Sequence, residues 1–205
     1  YIEANPEKPW NWEYVSENPN LTMEFINQHP DKDWNWYKIS ANPGITLEDI
    51  IANPDRPWNW SYMSANPNLT KEFIFSNPDK NWFWYEISKN PAITMEDIEA
   101  NPDKDWSWYA ISKNPNITME DIEANPDKPW NYEFGVSQNP NLTIQFINKH
   151  PSKNLNWHYV SQNPGITMED IEANPDKPWN YNHGVAQNPN LHRIFVNKHL
   201  YNNSI

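Results

Sequence analysis

One 24-residue pattern runs through this chain eight times, and that period constrains the fold more than any other feature. Trp10, Trp34, Trp58, Trp82, Trp106 and Trp130 are each 24 residues apart. After one inserted residue Leu155 takes the slot, and Trp179 follows 24 later. A repeat of this length buries its apolar face only against its neighbours. The expected fold is therefore an all-α solenoid of tandem 24-residue two-helix repeats, gently superhelical, forming a single array over residues 1–205. Its divergent end, 188–205, is expected to act as a cap. Residues 1–10 (YIEANPEKPW) match residues 121–130 (DIEANPDKPW), so the chain is expected to start inside a repeat and the natural protein to be longer at its N-terminus.

The repeat that opens at Trp106 shows the internal grammar. Asn-Pro steps divide it into two short helices, because a residue before proline is pushed out of the α region. All 20 prolines fall on repeat positions. The second helix carries a full start signal: Thr118 as N-cap, Glu120 and Asp121 in the first turn, and Ile117 and Ile122 as a hydrophobic staple across the cap. Such a helix is under two turns and cannot stand alone. The first helix is expected to begin at the Trp slot, capped by Asp33, Asn81, Asp105 or Asn154 or led by Pro9, Pro57, Pro129 or Pro178. All 13 Trp lie in two slots two residues apart, so one ring is expected to pack within the repeat and the other toward the next. Gly135 and Gly184 are single insertions, expected to deform the helix end or the turn locally.

A second rhythm overlies the first. Repeats opening at Trp10, Trp58, Trp130 and Trp179 carry Phe25, Phe73, Phe146 and Phe195 in the second helix. Those opening at Trp34, Trp82, Trp106 and Leu155 carry Asp49, Asp97, Asp121 and Asp170 there. The order is 1-2-1-2-2-1-2-1, with a slip between the repeats of Trp82 and Trp106. Alternating Phe and Asp predicts alternating environments, one buried and one exposed.

Composition narrows the partners. Lys and Arg number 15 against 27 Asp and Glu, a net charge of −12. A phosphate-binding surface needs clustered bases, so this balance argues against nucleic acid and anionic membrane. There is no Cys, which excludes disulfides and thiolate metal sites. No apolar run approaches a membrane span. The mean hydropathy of −0.97 borders on the disordered range, but disordered chains lack aromatics and this one has 13 Trp, 10 Tyr and 7 Phe. The burial is thus expected from a few large rings more than from many aliphatics.

The string N-P-x-[IL]-T-x-E-[DF]-I-x-x-[NH]-P-D-K-x-W-N-W, present as Asn42–Trp60 (with Arg56 for Lys) and in Asn163–Trp179, resembles tandem-repeat proteins of giant DNA viruses of the mimivirus group. The resemblance covers essentially the whole chain. It implies a viral source, hence the virion or the host cytoplasm as location, a repeat architecture and no enzymatic activity. The last repeat departs from it, with His192 for Thr, Ile194 for Glu and Leu200 for Pro.

Few residues carry a chemical signal of their own. Glu48-Asp49 and Glu96-Asp97 could serve as acid/base pairs, but one pair per second-type repeat is better read as helix capping. The six His lack metal spacing, and Asn-Pro-Asp-Lys lacks the alternating oxygens of a calcium loop. No cofactor is expected. Asn-Leu/Ile-Thr sequons such as Asn116–Thr118 arise from the cap Thr. The first-slot residues, Trp10, Trp34, Trp58, Trp82, Trp106, Trp130, Leu155 and Trp179, are read as repeat core, with an exposed ring ladder as the rival reading. The two positions after the second ring vary between repeats. Tyr14, Tyr37, Tyr62, Tyr85, Tyr109, Phe134, His158, Tyr159 and His183 are therefore the expected partner-binding residues. The expected function is a non-catalytic scaffold for protein partners. Self-assembly into a fibre or virion component, and a carbohydrate-binding repeat using exposed rings, remain alternatives.

Overall fold

The computed structural model describes residues 2, 4, 5 and 7–190. The expected C-terminal cap therefore lies outside the described residues from 191 onward, as do Phe195, His192, Ile194, His199 and Leu200. Among the described residues the regular elements are helices alone, none longer than six residues. The chain divides into two compact units, Tyr1–Ala92 and Ile93–Ile205. Each is a stretch of all-α repeat solenoid.

The first unit contains α1 (Trp12–Ser16), α2 (Met23–Gln28), α3 (Trp36–Ala41), α4 (Leu47–Ala52), α5 (Trp60–Met63), α6 (Lys71–Ser76) and α7 (Trp84–Lys89). The second contains α8 (Met95–Ala100), α9 (Trp108–Lys113), α10 (Met119–Ala124), a 3-10 turn at Val136–Gln138, α11 (Ile144–Lys149), α12 (Trp157–Gln162), α13 (Met168–Ala173) and a 3-10 turn at Val185–Gln187. First helices stack on first helices: α1 lies against α3 and α3 against α5. In the second unit α9 lies against Val136–Gln138, which lies against α12.

The second helices start as the sequence predicts. Thr22, Thr46, Thr70, Thr94, Thr118, Thr143 and Thr167 each accept a first-turn N–H. Where the third helical residue is Asp, its carboxylate reaches back to the cap, as Asp97 does to Thr94 N at 2.9 Å and Oγ1 at 2.8 Å. Where it is Phe, the ring packs instead, with Phe25 edge-on to Trp34 at 6.0 Å and Phe73 to Trp82 at 6.3 Å. One position thus alternates between a capping box and an aromatic contact. The staple pairs, including Ile45 with Ile50 and Ile117 with Ile122, are buried.

The first helices start two residues later than expected. Their caps are Asn11, Asn35, Asn59, Ser107 and Asn156, not Asp33, Asn81, Asp105 and Asn154. The first-slot residue lies ahead of the helix, because the short side chain between the two rings reaches the first-turn N–H groups. Phe83 stands in that place before α7 and forms no side-chain cap. Gly135 and Gly184 replace the first helix by a turn and a 3-10 segment. There Ser137 N bonds Tyr132 O five residues back at 3.2 Å.

The core corrects the sequence in one respect. The deepest side chains are apolar and unringed: Ile39, Ile45, Met63, Ile87, Ile93, Ile111, Ile117 and Ile166 are fully buried, and no ring among the described residues reaches that depth. The first-slot rings sit at its edge. Trp58, Trp82, Trp106, Trp130, Leu155 and Trp179 are buried, whereas Trp10 and Trp34, which line an open groove, are half-buried. Each first-slot indole N–H donates to a carbonyl five residues back, as Trp58 does to Asn53 O at 2.9 Å, closing the Asn-Pro-Asp-Lys turn. Leu155 keeps the apolar bulk without an N–H. Within each unit, second-slot Trp rings meet the next first-slot ring edge-on: Trp12–Trp34 at 5.0 Å, Trp36–Trp58 at 5.1 Å, Trp157–Trp179 at 5.1 Å. This is the forward contact the two-slot spacing predicted.

Two buried polar columns join the repeats. Asn66 Nδ2 donates to Ser40 O, Asn42 O and Ile45 O of the preceding repeat, while Asn66 Oδ1 accepts the N–H of Asn68. Asn42, Asn139, Asn163 and Asn188 do the same with their own predecessors. Beside them Ser40 Oγ donates to Trp36 O and accepts the N–H of Asn59. Ser16, Ser64, Ser112, Ser137 and Ser161 repeat this geometry. No buried side-chain polar atom among the described residues lacks a partner.

Candidate functional site

With its interior satisfied, each unit turns its unengaged chemistry outward at the first-helix N-termini. The caps hold these ends in place, and the second and third residues after each cap carry much of the exposed aromatic surface. Tyr14, Tyr37 and Tyr62 are 70%, 55% and 51% exposed, and Tyr85 36%. Tyr37 and Tyr62 come from successive repeats of the first unit and meet edge-on at 5.3 Å. Tyr85 lies 5.8 Å from Phe83, with the Lys89 ammonium over its ring. In the second unit Tyr109, Phe134 and His183 are exposed, while His158 and Tyr159 are half-buried. Phe134, Tyr159 and His158 form one cluster, with centroid distances of 6.2 and 5.2 Å.

All nine residues expected at the partner surface therefore keep some exposure, and the structure gathers Tyr37 with Tyr62 and Phe134 with His158 and Tyr159. Sequence reasoning missed Phe83, Tyr181 and Ile51, which are 49%, 58% and 59% exposed. Phe83 and Tyr181 could have been found as departures from the constant Trp-Asn-Trp run. Ile51 carries no such mark.

Beside the Tyr37 ring, in the first unit, runs an open groove of about 820 Å³. Its walls are the half-buried rings of Trp10, Trp12, Trp34 and Trp36, with Trp58 at one end. Asn11, Asn35 and Asn59 line it between the rings, and Glu13 and Asp33 supply its charge. Sequence reasoning did not single out these asparagines, although Trp-Asn-Trp recurs in three successive repeats. Two second-slot rings hold cations from the following turn: Lys32 Nζ is 5.3 Å from the Trp12 centroid, and the Arg56 guanidinium is 5.8 Å from that of Trp36.

Local ion pairs flank these surfaces. Lys38 bonds Glu17, and this hydrogen bond holds the Lys38 ammonium above the ordinary lysine range. In the second unit Lys149 and His150 both bond Glu123, Lys149 more strongly, and together they lower its carboxyl below the usual glutamate range. Asp49, Asp97, Asp121 and Asp170 serve their own helix starts. No group of three potential metal ligands occurs among the described residues, and no helix there is long and apolar enough to cross a membrane.

This arrangement defines the protein's class, an all-α tandem-repeat solenoid with outward-facing aromatic columns. Comparison with protein families, with curated proteins and with solved structures gives no match to this chain.

Proposed function

We propose that the array is a non-catalytic interaction protein that holds a protein partner on its first-helix face. One observation carries the reading: large aromatic side chains stand exposed at the same two repeat positions, on a scaffold whose own polar groups are satisfied. Exposed aromatics give binding energy at low conformational cost. Because the nine expected contact residues all keep some exposure, side chains there can change without unfolding the repeats. The engagement of each repeated Asp in a capping box supports a structural role for these carboxylates. A viral source, with the protein in the virion or the host cytoplasm, belongs to the same proposal and rests on the motif resemblance.

The test compares the wild-type array with a Tyr37→Ala/Tyr62→Ala variant in affinity capture from the native source. A protein retained by the wild type and lost by the variant, at unchanged far-UV circular dichroism, supports the reading. Equal retention by both, or collapse of helicity in the variant, overturns it. A glycan ligand is the second reading, favoured by the half-buried indoles along the groove. Quenching of tryptophan fluorescence by soluble glucans would support it.

A further inference from the structure

The groove between Trp10 and Trp58 has a feature that packing does not require. Asn11, Asn35 and Asn59 each cap a helix through Oδ1, which accepts the N–H of Tyr14, Lys38 and Tyr62 at 3.0–3.3 Å. Oδ1 is spent on the helix, which leaves each Nδ2 outside the cap, and all three residues line the groove. Capping itself needs only an acceptor. Ser107 does the same work before α9 with a hydroxyl. The amide donors are thus surplus to the cap, and one recurs in each of three successive repeats on the same groove.

Three properties of the groove select its occupant. Its donors suit a ligand with regularly spaced carbonyl acceptors, as an extended peptide backbone has. Half-buried indole rings lie beside the donors, and two of those rings already have a cation over them, which shows that they accept one. The charged groups of the lining, Glu13 and Asp33, are both acidic, and no Lys or Arg lines it. Lys38, close to Glu13, is tied to Glu17.

We propose that this groove binds an extended, lysine- or arginine-rich peptide segment. Asn35 and Asn59 donate to the peptide's carbonyls, the basic side chains lie along the Trp rings, and Glu13 and Asp33 receive their charges. The inference rests on the reading of the array as a protein-binding module and names the chemistry of its partner.

The probe is a short synthetic Lys-Ala peptide, titrated into the whole chain and followed by intrinsic tryptophan fluorescence. A Glu-Ala peptide of equal length and a soluble glucan oligosaccharide serve as comparisons. The Lys-Ala peptide should bind, and more weakly as salt rises. Asn35→Ser/Asn59→Ser keeps both caps and removes both donors, so affinity should fall at least tenfold with the melting curve retained. Glu13→Gln/Asp33→Asn, at two exposed carboxylates, should weaken binding by a similar factor and flatten its salt dependence. Binding of the Glu-Ala peptide as tight as that of the Lys-Ala peptide overturns the proposal. So does binding of the glucan alone, or an unchanged affinity in the Asn variant. If the Lys-Ala peptide fails while Tyr37→Ala/Tyr62→Ala still loses a captured protein, the groove assignment falls and the broader reading stands.

Discussion

Asn66 shows how much one side chain can do in a repeat array. Its amide reaches three main-chain carbonyls of the repeat before it, and its oxygen shapes the turn after it. Asn66→Ala leaves these buried groups without partners. We expect a loss of about 2–4 kcal/mol in stability, read from urea unfolding, since each buried unsatisfied group costs about 1–3 kcal/mol and water recovers some. The sequence exposed the proline of each Asn-Pro step and hid the work of the asparagine, whose acceptors lie 21–26 residues away. A signal was nonetheless present. The Asn-Pro after a second helix twice becomes His-Pro, at His29 and His150, whereas the one after a first helix keeps Asn at 18, 42, 66, 90, 114, 139, 163 and 188. Only a side chain with an amide donor and a carbonyl acceptor fits the second case.

At the level of the element, the second helices were legible almost to the residue, because cap, acidic turn and staple are all local. The first helices were misplaced by two residues. Their rings looked like the first helical position, but the capping side chain lies between the rings. The depth of burial was also misread, since ring size drew attention from the Ile staples that fill the centre. The inserted glycines were identified correctly as a local deformation, and the structure supplies the reason they are glycine. A Cβ at Gly135 would stand 2.5 Å from the Ser112 Cβ and 2.6 Å from Asn131 O. Ser112 has little freedom to retreat, because its hydroxyl bonds both Trp108 O and Asn131 N. Gly135→Ala should therefore destabilise the array by about 1–3 kcal/mol, seen as a lower urea midpoint, through overpacking at this junction.

For the whole molecule, the 24-residue period gave the architecture, and the 48-residue alternation gave one more thing. The compact units meet in sequence at Ala92–Ile93, within the stretch where that alternation slips. The exposed aromatic columns were legible because they vary where the core and turns hold constant. The groove was not, since three capping asparagines look purely structural until their free ends are placed. In a nearest-neighbour array, damage should also stay near its source. Ser40→Ala removes the acceptor of the Asn59 N–H in the next repeat. Amide hydrogen exchange should accelerate at Asn59 and its close neighbours and stay unchanged at Asn156, whose acceptor is Ser137.

The Asn and Ser columns have a direction. At every described junction within a unit the buried donor belongs to the later repeat and the acceptor to the earlier one, as with Asn66 and Ser40, Asn163 and Ser137, and Asn188 and Ser161. A carbonyl has two lone pairs and tolerates waiting in water, whereas a buried amide donor without an acceptor is costly. On the ribosome, where the chain emerges N-terminus first, each new repeat arrives with its donors to find the acceptors already set. The molecule can thus assemble in the order it is translated, each finished turn serving as the mould for the next.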